Sequence, residues 1–198
     1  MNRGALFFAY VICCGSANAT LISTYESWTG NGDRNGSSTQ AGQTFRCPNS
    51  TEVLLTYWEH KVKNLGGVAM NLTATLYEWG STNVSGAAMR TSSVSLSTGT
   101  AFQDVRFSLG AVLDPLKTYA IFIKSSGPDM GNATGDPVYG QGIYLVDIDG
   151  PAGPIAPIQR SYLDMCFRAQ FTAVPEPASL AVAMLGSLGL LSRRRNTR

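Results

Sequence analysis

Between residues 20 and 173, apolar and polar residues alternate in short runs, and no stretch repeats apolar positions at the spacing of an amphipathic helix. "MNLTATLYEW" shows the alternation most cleanly. Leu72, Ala74 and Leu76 fall on one face of a strand, and Thr73, Thr75 and Tyr77 on the other. "FQDVRFSLG" places Val105, Phe107 and Leu109 on one side, and "KTYAIFIKS" sets Tyr119, Ile121 and Ile123 opposite Ala120 and Phe122. "QTFRCP", "TEVLLTYWEHKV", "TSSVSLS", "GIYLVDI" and "DMCFRAQF" complete a set of eight expected strands. Gly, Asn, Asp and Pro clusters separate them, and "TGNGDRNGSSTQAG" reads as loop. The pattern predicts an all-β fold: an antiparallel β-sandwich of jelly-roll type spanning residues 20–173.

The two ends break this pattern. "MNRGALFFAYVICCGSANAT" has a basic Arg3, an apolar run from Ala5 to Cys14 and the small-residue triplet Ala17-Asn18-Ala19. That order predicts a helical signal peptide over residues 1–19, cleaved by signal peptidase to leave Thr20 as the new N-terminus. The apolar run is too short to span a bilayer, which takes about 20 residues. Cys13 and Cys14 lack the preceding small residue that lipoprotein processing needs.

At the other end, Val174-Pro175-Glu176-Pro177 cannot continue a strand, because proline has no N–H to donate. Ala178 to Ser192 carries no charge and favours helix, with Pro177 suited to its first turn and Glu176 near the positive end of its dipole. Fifteen residues give about 22 Å of helix, short of the roughly 30 Å hydrocarbon core, although flanking arginines extend the reach by snorkelling. Arg193, Arg194 and Arg195 then act as a stop-transfer signal that keeps the end in the cytoplasm. The expected layout is a β-sandwich flanked by a signal-peptide helix and a C-terminal transmembrane helix over 174–198. A plain membrane anchor is the alternative for this last segment.

"VPEP", a short apolar helix and "RRR" at the C-terminal end resemble the PEP-CTERM sorting signal of Gram-negative bacteria. The resemblance implies that Val174, Pro175, Glu176 and Pro177 form the sorting motif read by an exosortase, a membrane-embedded processing enzyme. It also implies an exported protein of the cell surface or extracellular matrix, associated with exopolysaccharide. The segments "TLYEWGSTNVSGAAMRTSS" and "LDPLKTYAIFIKSSG" resemble the jelly-roll domains that precede such tails, which are similar in shape to carbohydrate-binding modules.

Charge and cysteine content refine this picture. The chain has 15 Lys and Arg against 13 Asp and Glu, but Arg3, Arg193, Arg194, Arg195 and Arg198 sit at the ends. The ten remaining bases face thirteen acids, so the stretch between carries −3 and offers no footprint for nucleic acid. Removing the signal peptide leaves Cys47 and Cys166 in a compartment that permits disulfides. They are expected to pair, closing a loop of about 120 residues worth about 4–5 kcal/mol in the chain-entropy account. A jelly roll that sets its first and last strands side by side would bring them together. Two buried thiols are the alternative.

Candidate chemistry is sparse. His60 and Glu59 are neighbours on a strand and point to opposite faces, so they form no local acid–base pair; His60 is expected on the exposed surface. No G-x-S-x-G elbow, zinc spacing or phosphate-cradling loop occurs. Glu52, Glu59, Glu78 and Asp104 lie on or beside strands, where a glycoside hydrolase would need two of them facing one another. Asp147 and Asp149 in "DIDGPAG" supply oxygen ligands for a structural Ca²⁺, against the plainer reading of an acidic turn. Trp58, Tyr77 and Trp79 are candidate sugar contacts if their flat faces are exposed, and core residues otherwise. The triplet Asn71-Leu72-Thr73 matches a glycosylation acceptor that a bacterium need not use. The sequence thus predicts a non-catalytic exported protein with no required cofactor. A carbohydrate-binding module is the second reading and a secreted hydrolase the third.

Overall fold

A computed structural model of the chain describes residues 19–30, 32–35, 40–99, 101–127, 130–147 and 157–174. Residues 1–18 of the expected signal peptide, the sorting tail from Pro175 onward with Arg193 to Arg195, and Asp149 lie outside the described residues, as does the side chain of Asp147.

The described residues form two antiparallel sheets. The first runs β1 (Ala19–Ser23), β13 (Phe167–Thr172), β4 (Leu54–Asn64), β9 (Met130–Gly135) and β12 (Asp164–Met165). In this sheet β2 (Gly32–Asn35) also pairs with β9, and β7 (Gln103–Val112) with β4. The second sheet runs β11 (Ile158–Arg160), β10 (Tyr144–Asp147), β3 (Gln40–Phe45), β8 (Thr118–Ser125), β5 (Met70–Trp79) and β6 (Val84–Leu96). Among the described residues a single 3₁₀ turn, Tyr25–Ser27, follows β1. The sandwich expectation is met, but these pairings give no support to a jelly-roll order.

Alternation along the strands assigns the faces. Leu72, Ala74 and Leu76 of β5 are fully buried, as are Ile121 and Ile123 of β8, and Val105, Phe107 and Leu109 of β7 are nearly so. The β5 and β8 residues face the first sheet, whose inner face is formed by the β7 residues together with Leu55, Trp58, Phe167 and Phe171, all four inaccessible. Trp58 stacks on Phe167 at 4.2 Å between centroids and 7° between planes, with Phe45 of the opposing sheet 5.3 Å away. Aromatic bodies bury large areas, so this cluster carries much of the driving force for closing the two sheets.

Two irregularities shape the edges. β4 advances an extra residue, Thr56, relative to β13, and β7 advances an extra residue relative to β4. Gly110, at φ 57°, supplies the left-handed backbone that the β7 bulge requires. In β6, the four residues Gly86 to Met89 stand opposite the single residue Tyr77 of β5. This departure from the ladder disrupts what is otherwise a long, weakly charged edge strand, a recognised protection against pairing with other chains.

The expected disulfide is not present: Cys47 and Cys166 are free, and both are buried. The first and last strands are indeed neighbours, because β1 pairs with β13 from Ala19↔Thr172 to Ser23↔Arg168. The first strand, however, is the short Ala19–Ser23 segment rather than the one leading to Cys47. Cys47 follows β3, which pairs with β8 and β10 in the other sheet, while Cys166 lies between β12 and β13. Burial pushes the Cys47 thiol up to about 11 and the Cys166 thiol up to about 12, which keeps both protonated and inert.

Candidate functional site

His60 is fully buried, contrary to the exposed position expected for it. It lies on β4, where Nδ1 is 3.0 Å from the Cys166 carbonyl and Nε2 is 3.0 Å from Oδ1 of Asn132. Burial, the largest influence, lowers its pKa to about 4, and Lys61 lowers it further, against raising contributions from Asn132, Cys166 and Asp104. A neutral imidazole has one donor and one acceptor. Donation from Nδ1 to the Cys166 carbonyl therefore calls for the Asn132 amide to present its NH₂ to Nε2. That orientation also gives a partner to Asn132 Nδ2, which is otherwise buried without one. His60, Asn132 and a nearby cysteine superficially match a thiol-nucleophile set. Their electrostatics run the other way: the thiol is raised and the imidazole lowered, whereas an activated pair needs a thiolate beside a cationic ring. The cluster is a polar clasp between β4, β9 and the β12–β13 junction.

The four candidate carboxylates do not meet in a cleft. Glu52 is bonded by the Thr20 hydroxyl and the Asn49 amide, which hold its carboxyl below the ordinary range. Glu78 pairs with Lys117 at 2.8 Å and Asp104 with Lys61 at 2.6 Å. Glu59 is nearly buried and is shared by Arg106, through Nε at 3.0 Å and a terminal nitrogen at 2.8 Å, and by Arg168 at 3.3 Å. Glu59 and Asp104 do share the outer face of the first sheet, since Glu59 stands opposite Arg106 and Lys61 opposite Asp104. Aromatic rings cover the cations around them. Arg106 lies 4.0 Å over Tyr57, Arg168 4.0 Å over Tyr25, and Lys61 5.0 Å over Trp28. Each of the four carboxylates thus has a cation or a hydrogen-bond donor of its own as its partner. Among the described residues no three His, Cys, Asp or Glu side chains gather as a metal site.

The three aromatic candidates separate. Trp58 is inaccessible in the core and cannot meet a sugar, so that expectation is corrected. Tyr77 and Trp79 share the outer face of the second sheet, as their spacing predicts, in a small apolar cluster with Ala120, Phe122 and Leu145. Trp79 is only 8% exposed, so it forms a wall rather than an open platform.

That wall belongs to a cleft of about 420 Å³, a feature no sequence motif announces. Its polar lining includes Arg46, Ser81, Thr118 and Gln141, and its apolar lining Trp79 and Ile143. A network of hydrogen bonds fixes the loop that forms one side. Asp164, buried and with its pKa raised chiefly by that burial, accepts from the Tyr139 N–H at 2.7 Å and from Gln43 at 2.9 Å. The Ile143 N–H donates to the Thr44 hydroxyl at 2.7 Å, and the Tyr139 hydroxyl accepts from the Arg46 N–H at 3.1 Å. Arg46 donates through Nε to Thr118 at 3.0 Å and has no carboxylate partner among the described residues. The cleft is therefore preformed, with guanidinium and amide donors beside the Trp79 indole.

The sorting segment is positioned by β13. This strand ends at Thr172, held between Ala19 of β1 and Leu54 of β4, and Val174 is already 44% exposed. Both terminal segments are thus joined to the sandwich at the same end of the same sheet.

No curated protein matches the chain. Among solved structures, it resembles the cysteine protease and lectin-like domains of Cwp84, a surface layer associated protein of Clostridium difficile, at 10% identity and a TM-score of 0.47. That match covers 71% of this chain and spans 33% of the Cwp84 chain. A weaker likeness, at 15% identity and a TM-score of 0.29, is to the infectious bursal disease virus Gx strain, covering 91% of this chain and 48% of the viral one. Residues 173–195 match the PEP-CTERM protein-sorting motif, which implies processing by an exosortase and an exported, envelope-associated place in a bacterium. The chain is a β-sandwich protein bearing a PEP-CTERM sorting motif at its C-terminal end.

Proposed function

We propose that this protein is a non-catalytic component of the bacterial cell surface or extracellular matrix, associated with exopolysaccharide, whose body is delivered by the two signals at its ends. The observation that carries this reading is the sorting motif at 173–195, which begins directly after the last strand of the sandwich. A signal peptide over 1–19 starts export, the uncharged stretch Ala178–Ser192 enters the membrane as a helix, and Arg193 to Arg195 hold it there. The absence of catalysis is supported by the inert, buried state of His60 and both described thiols and by the neutralised carboxylates. Ending the chain after Val174 tests the reading. The shortened protein should leave the membrane fraction and appear as soluble protein in the periplasm or medium. An unchanged distribution would refute sorting by the tail.

A second reading, a carbohydrate-binding module, is favoured by the cleft at Arg46 and Trp79. Arg46 suits a sugar carboxylate or ring hydroxyls, Gln141 and Ser81 can bond further hydroxyls, and the Trp79 indole can meet an apolar C–H face. Titration with neutral and uronic-acid oligosaccharides would separate this reading from a purely structural role.

A further inference from the structure

We propose that the end of the sandwich from which the tail departs is a lipid-facing platform, formed by Leu21, Val112, Leu116 and Val174. Thr172 pairs with Ala19 and Leu54, and Leu54 pairs with Val112, so β1, β13, β4 and β7 all reach this end. Neighbouring strands lie about 4.8 Å apart, which places the row within roughly 15 Å. The turn after β7 carries Leu116, 90% exposed, and Val112, Leu21 and Val174 are 56%, 51% and 44% exposed.

Single exposed apolar residues are ordinary. Here four share one end, and the one at the tip is held rigidly. The Leu116 N–H donates to the Asp114 carboxylate at 2.9 Å, the Lys117 N–H to the Asp114 carbonyl at 3.1 Å, and the Asp114 N–H to the Tyr119 hydroxyl at 2.7 Å. A turn pinned in this way presents its leucine to solvent at little further entropic cost when it is buried. The charges at this end limit the depth of contact. Lys117 is paired with Glu78, and Glu52 is occupied by Thr20 and Asn49. The exposed Asp114 carboxylate accepts from the Leu116 N–H and has no cation partner among the described residues, which suits contact at headgroup depth.

The occupant follows from where the chain leaves. Pro175 is three residues beyond Thr172, a span of at most about 11 Å when fully extended. The 15 uncharged residues that enter the bilayer begin at Ala178, three residues further on. With so short a tether, this end of the sandwich sits at the headgroup region while the tail is embedded, and its apolar side chains gain by immersion. The inference rests on the reading that the tail enters the membrane.

The full chain in vesicles of phosphatidylcholine and phosphatidylglycerol containing a photoactivatable lipid provides the test, with adducts mapped by mass spectrometry. Adducts are expected on peptides holding residues 19–23 and 112–117, and not on the turn at Leu65–Val68, at the opposite end of β4. Equal labelling of both ends in protein that pellets with the vesicles would overturn the platform and leave the tail's role intact. Failure of the full chain to associate at all would overturn both. A Val112→Ser/Leu116→Ser chain should still pellet through its tail while adducts on residues 19–23 fall. Undiminished labelling there would contradict a shared platform.

Discussion

His60 makes a quantitative prediction about pH. In the folded protein its pKa is about 4, chiefly through burial, while an unfolded histidine titrates near 6.5. A base whose folded pKa is depressed favours folding only while it is neutral in both states. As pH falls below 6.5 the unfolded chain takes up a proton that the folded chain refuses until about pH 4, so stability falls through that window. Between pH 7.5 and pH 5 the linkage amounts to about 2 kcal/mol, and the full difference approaches about 3 kcal/mol at lower pH. With a urea slope of about 2 kcal/mol/M, the midpoint should drop by about 1 M over the same interval. Asp164 acts in the opposite sense. Its pKa is raised in the fold, so the folded state binds a proton more readily and gains stability as pH falls. Glu52 and Glu26, whose pKa values are lowered, contribute losses only as pH falls through the carboxylate range. The assay is urea unfolding followed by fluorescence at several pH values, for the parent and for His60→Gln. The parent should lose stability from pH 7.5 to 5, and the variant should be less stable at pH 7.5 but nearly flat. A flat parent, or an equal fall in His60→Gln, would refute the assignment of a buried neutral imidazole.

Other consequences are simpler to measure. Trp58→Ala removes the ring stacked on Phe167 and should cost about 3–5 kcal/mol by urea or thermal unfolding. Glu59→Gln leaves Arg106 and Arg168 without their carboxylate, but both guanidinium groups are partly exposed, so a loss of only about 1–2 kcal/mol is expected. Alkylation without reductant should modify both Cys47 and Cys166 in urea and neither in the native protein; resistance in urea would restore the disulfide. If the cleft takes acidic sugars, Arg46→Ala should weaken binding about 10- to 100-fold in calorimetry with little change in melting temperature.

Much of the body was legible because its strands bury one face only. β5 coincides with "MNLTATLYEW", and β7 and β8 follow their expected runs to within two residues. The strands that escaped reading lack that signal for identifiable reasons. β9, "MGNATG", is buried along its whole length, and its two glycines and asparagine read as turn residues. β2, "GDRN", falls inside a stretch whose composition is that of a loop. β1 adjoins the expected signal peptide, and its pairing with β13 is a contact across nearly the whole chain that no local pattern encodes. The disulfide expectation failed through that same unseen strand. His60 was misplaced because alternation shows that two neighbours part, and not which of them turns inward. The Arg46 cleft draws on four separate segments, two of which Asp164 ties together through Gln43 and Tyr139, so only the assembled fold reveals it. The sorting motif, by contrast, is linear and was readable outright.

Sorting through the tail is tested most directly by the intact mass of the protein recovered from the envelope of its native host. The chain should begin at Thr20 and be cut within the tail, so that Arg193 to Arg195 are missing. A Pro175→Ala/Glu176→Ala/Pro177→Ala chain should keep those arginines and remain in the membrane fraction. An uncut tail on the surface-exposed protein, or normal sorting of the triple variant, would contradict sorting through the tail.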